Sequence, residues 1–437
     1  MNEEILFEKG KKSFLRNKWE EILIKTIKRK IPESYFKKNY VVFLDSKEAI
    51  EKFFFHTNKE EIESKQYIII LPPLNNFVNL ISFFDKIDKI LHEDSKLILN
   101  YFTGSWKYIF SFFSFLGLIK NFDDALFFSK KELNVFLNCT NYEISRKLTE
   151  ISLPLETPFL TKFLTNIINL FPILSLFSFA NVFYLRKKNK LKKQNFLMSL
   201  IIPCKDEEKN IDQIVKDAKS DLVFPYELVF VDDLSNDNTK KKIQQAIIDN
   251  PNIKISIFTG LGRGKSRAVD IGVKNCEGFF CAIFDADLTV KMRDINSFYS
   301  AISLGNGDVI NGSRLIYRLE KNSMRTINYF GNKFFSTVIS FIISSKVSDT
   351  LCGTKCFRKK DWEIFEKFRK ENELDDIWGD FNILFSASFY GFKLIDLPVR
   401  YYERLSGETK MKKRFYYFIN MIKLCFKAFL VFKLRSK

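Results

Sequence analysis

Histidine is almost absent from this chain: His56 and His92 are the only two in 437 residues. With an odd count of seven cysteines, that scarcity argues against an imidazole-based zinc site and fits no disulfide framework. Cys352 and Cys356 flank Gly-Thr-Lys, but nothing nearby completes a tetrahedral set, so the thiols read as reduced and mostly buried. Proline (10) and glycine (16) are sparse, while 46% of residues are hydrophobic and 49 are Phe, which is the composition of folded α/β material and not of disorder. A clean apolar run of bilayer length is missing too. The most apolar stretch, residues 167–185, contains Asn169, Pro172 and Asn181. It is expected to be a buried loop and a terminal strand, because a span wants about 20 apolar residues. No secretory signal is visible, since the acidic start Met-Asn-Glu-Glu-Ile has no apolar region behind it, and a cytoplasmic place is expected.

The net charge of +18 suggests nucleic acid until it is located. Six positive charges lie in Arg186–Lys193 and nine, with no acid, in Lys410–Lys437, so most of the excess sits in two short runs. A nucleic-acid binder more often spreads basic residues over a domain face among exposed aromatics. Basic runs beside apolar helix fit an anionic membrane surface better. From residue 415 to 434 the polar positions Asn420, Lys423 and Lys427 recur at spacings of three and four in an otherwise apolar run, the pattern of an interfacial helix or of a core helix packed on a sheet.

At this length two domains are expected. After the basic run, strand-like segments at 197–202, 227–231, 253–258, 279–284 and 308–311 alternate with helical patterns, which predicts a mostly parallel sheet with helices on both faces. The first half has a weaker version of that rhythm: a strand at 67–71, an amphipathic helix at 77–91 and a strand at 95–101.

Chemistry concentrates at the ends of the later strands. The fourth ends in Asp285-Ala286-Asp287, and two carboxylates one residue apart can share a hard divalent cation with substrate phosphates. Before it come Pro203-Cys-Lys-Asp-Glu207, Val231-Asp232-Asp233 with the Ser235 to Thr239 turn, and Gly262-Arg-Gly-Lys265. Each lies at the carboxyl end of its strand, where ligands of open α/β sheets bind. A P-loop reading of Gly260 to Ser266 fails, because Thr259 stands where that motif needs its first glycine.

These motifs resemble the catalytic domain of glycosyltransferase family 2 with the GT-A fold, in the polyprenyl-phosphate hexosyltransferase branch typified by dolichol-phosphate mannose synthase. The resemblance spans residues 197–412 and continues through Asn311-Gly-Ser-Arg314, Met324-Arg325, Ser348-Asp349 to Lys355, Pro398-Val-Arg400 and Ser406 to Lys410. It implies that Pro203, Glu207, Val231 and Asp233 cradle the nucleobase and ribose. Asp285, Ala286 and Asp287 would hold the donor diphosphate through Mg²⁺ or Mn²⁺, with Thr289 as a further metal ligand, and Arg314 and Lys265 would meet phosphate oxygens. Lys205 stands where an aromatic often stacks on the base, and Thr289 where an amide side chain can supply a ligand.

The general base depends on the acceptor. A lipid phosphate is already an anion and needs only positioning, by Arg325, Arg404 and Lys410. A sugar hydroxyl needs a carboxylate within hydrogen-bond reach. Asp380 stands where inverting members of the family place that base, and Asp349 is the second candidate.

In the first half, residues 67–101 are similar to the second half of a class I S-adenosylmethionine-dependent methyltransferase, and the strand at 180–185 also fits. That fold needs a Gly-x-Gly turn after its first strand, because backbone must approach the cofactor closely. Between Gly10 and Gly104 there is no glycine, and Asp45 is at most a remnant of the acidic ribose ligand. The expectation is a degenerate, Rossmann-like methyltransferase-type domain at 1–185 that binds no S-adenosylmethionine. A basic linker at 186–196, a GT-A domain at 197–412 and a basic amphipathic helix at 413–437 follow.

The expected activity is inverting transfer of a hexose from a nucleoside-diphosphate sugar to a polyprenyl phosphate or cell-surface glycan, at the inner face of a membrane and without nucleic acid. Transfer to a sugar hydroxyl with Asp380 as base, or a non-catalytic scaffold, are the alternatives.

Overall fold

In the computed structural model the chain divides into two units, one of residues 1–188 with 432–437 and one of residues 189–431. The structure describes residues 23–24, 27–28, 41–44, 49–50, 66–71, 74, 80–88, 91–116, 130–151, 178–188, 195–317, 326–374, 376, 378–404 and 414–434. Residues 167–177, Asp45 and most of the basic linker lie outside them.

The first unit is built on β1 (Val41–Leu44), β2 (Tyr67–Ile70), β3 (Lys96–Phe102), β4 (Tyr142–Ile151) and β5 (Ala180–Lys187), in sheet order β1-β2-β3-β5-β4. β1, β2 and β3 run parallel, whereas β5 is antiparallel to both β3 and β4. Every residue of β2 and β3 is buried, as expected of strands covered on both faces. Helix α1 (Leu80–Asp88) buries Leu80, Phe83, Phe84 and Ile87, one apolar stripe at helical spacing. Helices α2 (Ser105–Phe115) and α3 (Lys130–Asn138) follow β3.

In the second unit the expected strands are found within two residues of their sequence positions: β6 (Met198–Cys204), β7 (Tyr226–Asp232), β8 (Ile255–Thr259), β9 (Phe280–Ile283) and β10 (Val309–Ser313). Between them lie α4 (Ile211–Asp221), α5 (Thr239–Asp249), α6 (Lys265–Asn275) and α7 (Ile295–Ser303). Helix α8 (Thr326–Ile343), strand β11 (Lys355–Arg358), α9 (Trp362–Glu371), α10 (Asp380–Phe389), strand β12 (Leu394–Pro398) and α11 (Arg414–Phe429) complete it.

The sheet order is β12-β10-β11-β9-β6-β7-β8. From β6 the chain builds outward through β7 to β8, then returns to the other side of β6 with β9; all three pairings are parallel. The order therefore reverses between β6 and β9, and a crevice opens outside their carboxyl ends. The sheet is less uniformly parallel than the sequence suggests, because β11 is antiparallel to both β9 and β10. Its four residues, Lys-Cys-Phe-Arg, carry charges at both ends yet are all buried, so no alternation marks them as a strand. β12 ends in Pro398, which an edge strand tolerates.

Helix α11 buries Met421, Leu424, Cys425 and Ala428 while leaving Tyr416, Phe418, Ile422 and Phe426 exposed, so it is packed on one side and apolar on the other. Phe418, though exposed, also reaches Phe335 on α8, with ring centroids 5.6 Å apart. Among the described residues no helix is long and apolar enough to cross a membrane. Six cysteines are buried and Cys139 is exposed, all as free thiols.

Candidate active site

The rim of the crevice is set by loops that the strands leave at their carboxyl ends. The loops after β6 and β7 are joined reciprocally: the Asp206 amide donates to Ser235 Oγ (2.9 Å), and the Asn236 amide to Asp206 Oδ1 (2.7 Å). The Glu207 amide donates to Thr239 Oγ1 (2.8 Å), and the Asn238 amide to Glu208 Oε2 (2.9 Å). Pro203 and Val231 face each other across the β6–β7 ladder. The Glu207 carboxylate accepts Asn210 Nδ2 at 2.7 Å.

Asp233 does more than border the crevice. Its Oδ1 accepts the Gly262 amide (2.7 Å) and its Oδ2 the Gly264 amide (2.9 Å), so one carboxylate folds the loop after β8. Both glycines have positive φ, +66° and +87°, which L side chains rarely adopt. That loop delivers Lys265 as the first residue of α6.

Lys265 Nζ lies 2.7 Å from Asp285 Oδ1 and 3.5 Å from Asp380 Oδ1. Burial opposes ionisation of Asp285, but the Lys265 ammonium, with Lys355 and Arg314 behind it, outweighs burial and holds the carboxyl below its ordinary value. Gly353 lies against this pair, where an added Cβ would overlap Asp285 Oδ2 and Lys265 Nζ. Three residues after Asp285 the chain turns sharply at Leu288 (φ +56°). Asp287 is oriented by Thr289, whose hydroxyl and amide both donate to its Oδ1 (2.8 and 3.2 Å), and it is paired with Arg404 Nη2 at 2.9 Å. Thr289 is thus engaged in aiming Asp287. Ala286, between the two carboxylates, is buried.

Arg314 is gripped from one side. Its Nε and Nη2 donate to Asp349 Oδ2 and Oδ1 (2.7 and 2.9 Å), its backbone amide also donates to Oδ2 (3.0 Å), and the guanidinium lies 4.9 Å from the centroid of the Tyr401 ring. Asn332 Nδ2 and the Leu351 amide fill the remaining acceptor sites of Asp349 (2.7 and 3.0 Å). A carboxylate so fully engaged is a poor proton acceptor, which corrects the expectation that Asp349 is the second candidate base. Asp380 opens α10 and is buried, with Lys265 its partner from across the crevice. The neighbouring Asp376 caps the same helix, accepting the Phe381 and Asn382 amides at 2.8 and 3.1 Å.

The structure therefore brings together Lys265, Asp285, Asp287, Arg404 and Asp380, with Arg314 and Asp233 at the edges of the cluster. Arg325 and Lys410 lie outside the described residues. Two residues of the site escape sequence reading. Lys355, fully buried in β11, donates from Nζ to the Cys352 carbonyl (2.6 Å). In sequence it closes the Ser348-Asp349 to Lys355 motif, which gives it no role of its own. Arg369 on α9 grips Asp270 on α6 (2.7 Å), steadying the helix that carries Lys265, and a pairing across 99 residues leaves no local trace.

The donor set is hard oxygen: two carboxylates, with the Thr289 hydroxyl beside one of them. That chemistry fits Mg²⁺ or Mn²⁺ when a diphosphate supplies the remaining ligands. Among the described residues no group of three or more His, Cys, Asp or Glu side chains could hold a metal ion. A metal held there would take only part of its coordination shell from these side chains and would need the rest from phosphate and water.

Residues 199–365, the stretch containing these carboxylates, match the model of the family described as glycosyl transferase family 2, and the chain carries a domain of that family. Among curated proteins it is similar to dolichyl-phosphate beta-glucosyltransferase of Dictyostelium discoideum, 27% identical over 49% of this chain and 69% of that protein. It is also similar to undecaprenyl-phosphate 4-deoxy-4-formamido-L-arabinose transferase of Proteus mirabilis, 25% identical over 52% of this chain and 65% of that one. A solved structure it resembles is glucosyl-3-phosphoglycerate synthase from Mycobacterium tuberculosis, with a TM-score of 0.37 and 12% identity over 55% of this chain and 81% of that one.

Proposed function

We propose that the second unit transfers a sugar from a nucleoside diphosphate to a polyprenyl phosphate with inversion at the anomeric carbon. The observation that carries this reading is the carboxylate pair Asp285 and Asp287 at the sheet's reversal point, surrounded by the cations Lys265, Arg404 and Arg314. The names of the two curated relatives, both transferases to a polyprenyl phosphate, support the acceptor class.

In this mechanism the ordered loops after β6 and β7 receive the nucleoside, with Pro203, Glu207, Val231 and Asp233 bordering it. Asp285 and Asp287 would hold Mg²⁺ or Mn²⁺, which when bound supplies Lewis-acid stabilisation of the departing diphosphate. Lys265 and Arg314 add positive charge where negative charge develops on that leaving group. The phosphate oxygen of the acceptor attacks the anomeric carbon as the bond to the donor diphosphate breaks. The attacking group is already an anion, so no proton is removed. Arg404, with Arg325 and Lys410, would position it.

A second reading, transfer to a sugar hydroxyl, is favoured by the placement of Asp380 in the same cluster as Asp285, where it could accept a proton. The two are separated by supplying labelled UDP- and GDP-sugars with either a polyprenyl phosphate or a soluble glycan, comparing wild type with Asp287→Ala. Labelled lipid from wild type alone supports the first reading, and labelled glycan alone the second. Neither product, and no donor hydrolysis, would leave a glycosyltransferase-like scaffold.

The apolar outer face of α11, with the basic residues around it, suits an anionic membrane surface at the inner leaflet. For the first unit, the order β1-β2-β3-β5-β4 with β5 reversed supports a methyltransferase-like ancestry, and the lack of glycine from residue 11 to 103 supports a domain without cofactor. Heat on titration with S-adenosylmethionine would reverse that conclusion.

A further inference from the structure

Two thiols that the mechanism does not use lie against each other behind the crevice, towards the amino end of β9. Cys276 caps the carboxyl end of α6 and Cys281 is the second residue of β9, and their sulfurs are 3.5 Å apart. Both are buried. The Cys276 thiol donates to the Val273 carbonyl (3.2 Å), so the hydrogen between the two sulfurs belongs to Cys281.

The turn that joins them is fixed. The buried Glu227 carboxylate accepts the Glu277 amide (2.6 Å), the Gly278 amide (3.1 Å) and the Ser199 hydroxyl (2.6 Å) through one oxygen. Gly278 is packed so closely that an added Cβ would overlap Ser199. The surroundings therefore hold the sulfurs in contact, and no loose loop brings them together by accident. Lys359 Nζ donates to the Cys276 carbonyl (2.5 Å), which places a positive charge beside the thiol. The S–H of Cys281 and, behind it, the Lys359 ammonium hold Cys276 down at about 7, against burial and the Glu227 carboxylate. Cys281 is pushed the other way by the same hydrogen bond and by burial. One sulfur is thus a nucleophile near neutral pH, and its neighbour keeps its proton.

We propose that Cys276 and Cys281 form a reversible dithiol–disulfide site, closed by a peroxide and reopened by a thiol, whose closing disturbs the donor crevice. The Cys276 thiolate attacks one peroxide oxygen; the O–O bond breaks, a sulfenic acid forms, and the departing hydroxide takes up the proton that Cys276 had lost. The Cys281 sulfur then attacks the Cys276 sulfur; the S–O bond breaks, and hydroxide leaves as water with the Cys281 proton. The two sulfurs give up two electrons, and one peroxide becomes two waters.

Neither element can shift without carrying a residue of the crevice. Helix α6 begins with Lys265, β9 leads to Asp285 four residues beyond Cys281, and those two side chains are paired at 2.7 Å. Drawing the sulfurs into a bond moves one against the other, and a misplacement of about 1 Å is enough to slow chemistry. The effect on transfer rests on the donor reading above; formation of the bond does not.

The test uses the full chain carrying Cys139→Ser, which removes the exposed thiol. The folded protein is treated with hydrogen peroxide and digested without reductant. The tryptic peptide that holds both cysteines should be lighter by two hydrogens, and chymotryptic cuts after Phe279 or Phe280 should leave its halves joined. Dithiothreitol should reverse both changes. Sugar transfer should fall roughly threefold or more on oxidation and recover on reduction. Cys276→Ser, whose hydroxyl can still donate to Val273, should keep the untreated rate and lose both the bond and the fall. Cys281→Ala serves the same purpose if that variant does not fold. No bond in the folded protein, a bond from Cys281 to Cys356 instead, or a bond that leaves transfer unchanged would each overturn the proposal. So would an equal fall in folded Cys276→Ser. A protein that transfers no sugar in either state overturns the donor reading instead, while the linkage still decides whether the pair is a redox site.

Discussion

Gly353 lies so close to the Asp285 carboxylate that a single added methyl group would occupy the space of its Oδ2 and of Lys265 Nζ. The backbone of the segment leading into β11 thus forms one wall of the candidate donor site.

Gly353→Ala should therefore damage chemistry more than folding. Displacing the carboxylate by about 1 Å can lower turnover on the order of 10²-fold, whereas the overlapping atoms are side-chain ends and stability should change by about 1 kcal/mol or less. Sugar transfer measured beside thermal unfolding checks this, and equal losses in both would contradict it.

The Arg314–Asp349 pair makes the opposite prediction. Both groups are largely withdrawn from water and share two hydrogen bonds, so removing one leaves an uncompensated charge. Asp349→Ala should cost about 3–5 kcal/mol in urea unfolding. A loss below 1 kcal/mol would mean that water reaches the arginine freely.

The same pair gives the acid sensitivity a direction. Burial alone would raise the Asp349 carboxyl, but Arg314 and then Asn332 pull it down to about 2. An unfolded aspartate titrates near 3.9, so between those values the native state binds fewer protons than the unfolded chain. The stabilisation is whole above about pH 4 and is lost as pH falls towards 2, amounting to roughly 2–3 kcal/mol. Asp349→Asn should flatten the fall in stability between about pH 4.5 and 2.5; an unchanged slope would assign acid lability to other groups.

Membrane docking is checked on the exposed side of α11. Ile422 and Phe426 are 43% and 61% exposed, so Ile422→Asp and Phe426→Asp should leave the melting temperature within about a degree or two, as surface changes do. Both should weaken sedimentation with phosphatidylserine vesicles, and added salt should weaken it further. Undiminished binding by the double variant would place the contact elsewhere.

The legible part of the fold was the part with local signals. The strands β6 to β10 stood out because each is a short apolar run ending in polar turn residues, and Asp285 and Asp287 were visible at the end of one of them. Arg369 was not, since it depends on Asp270, brought near by the tertiary fold, and nothing local signals the burial of Lys355. β11 was hidden by its terminal charges, whose burial is offset by the Cys352 carbonyl for Lys355 and by Asp361 for Arg358. Asp349 looked like a base because its neighbours in sequence do not reveal Arg314, 35 residues away.

The cross-stitched loops after β6 and β7 carry one more consequence. Fixing backbone costs about 1–2 kcal/mol per residue, and in Asp206, Glu207, Ser235 and Asn236 much of that has been met during folding, before any ligand arrives. On the proposed donor reading, a nucleoside entering there would meet a preshaped mould, a rigid socket that would reject an ill-fitting base at the moment of contact.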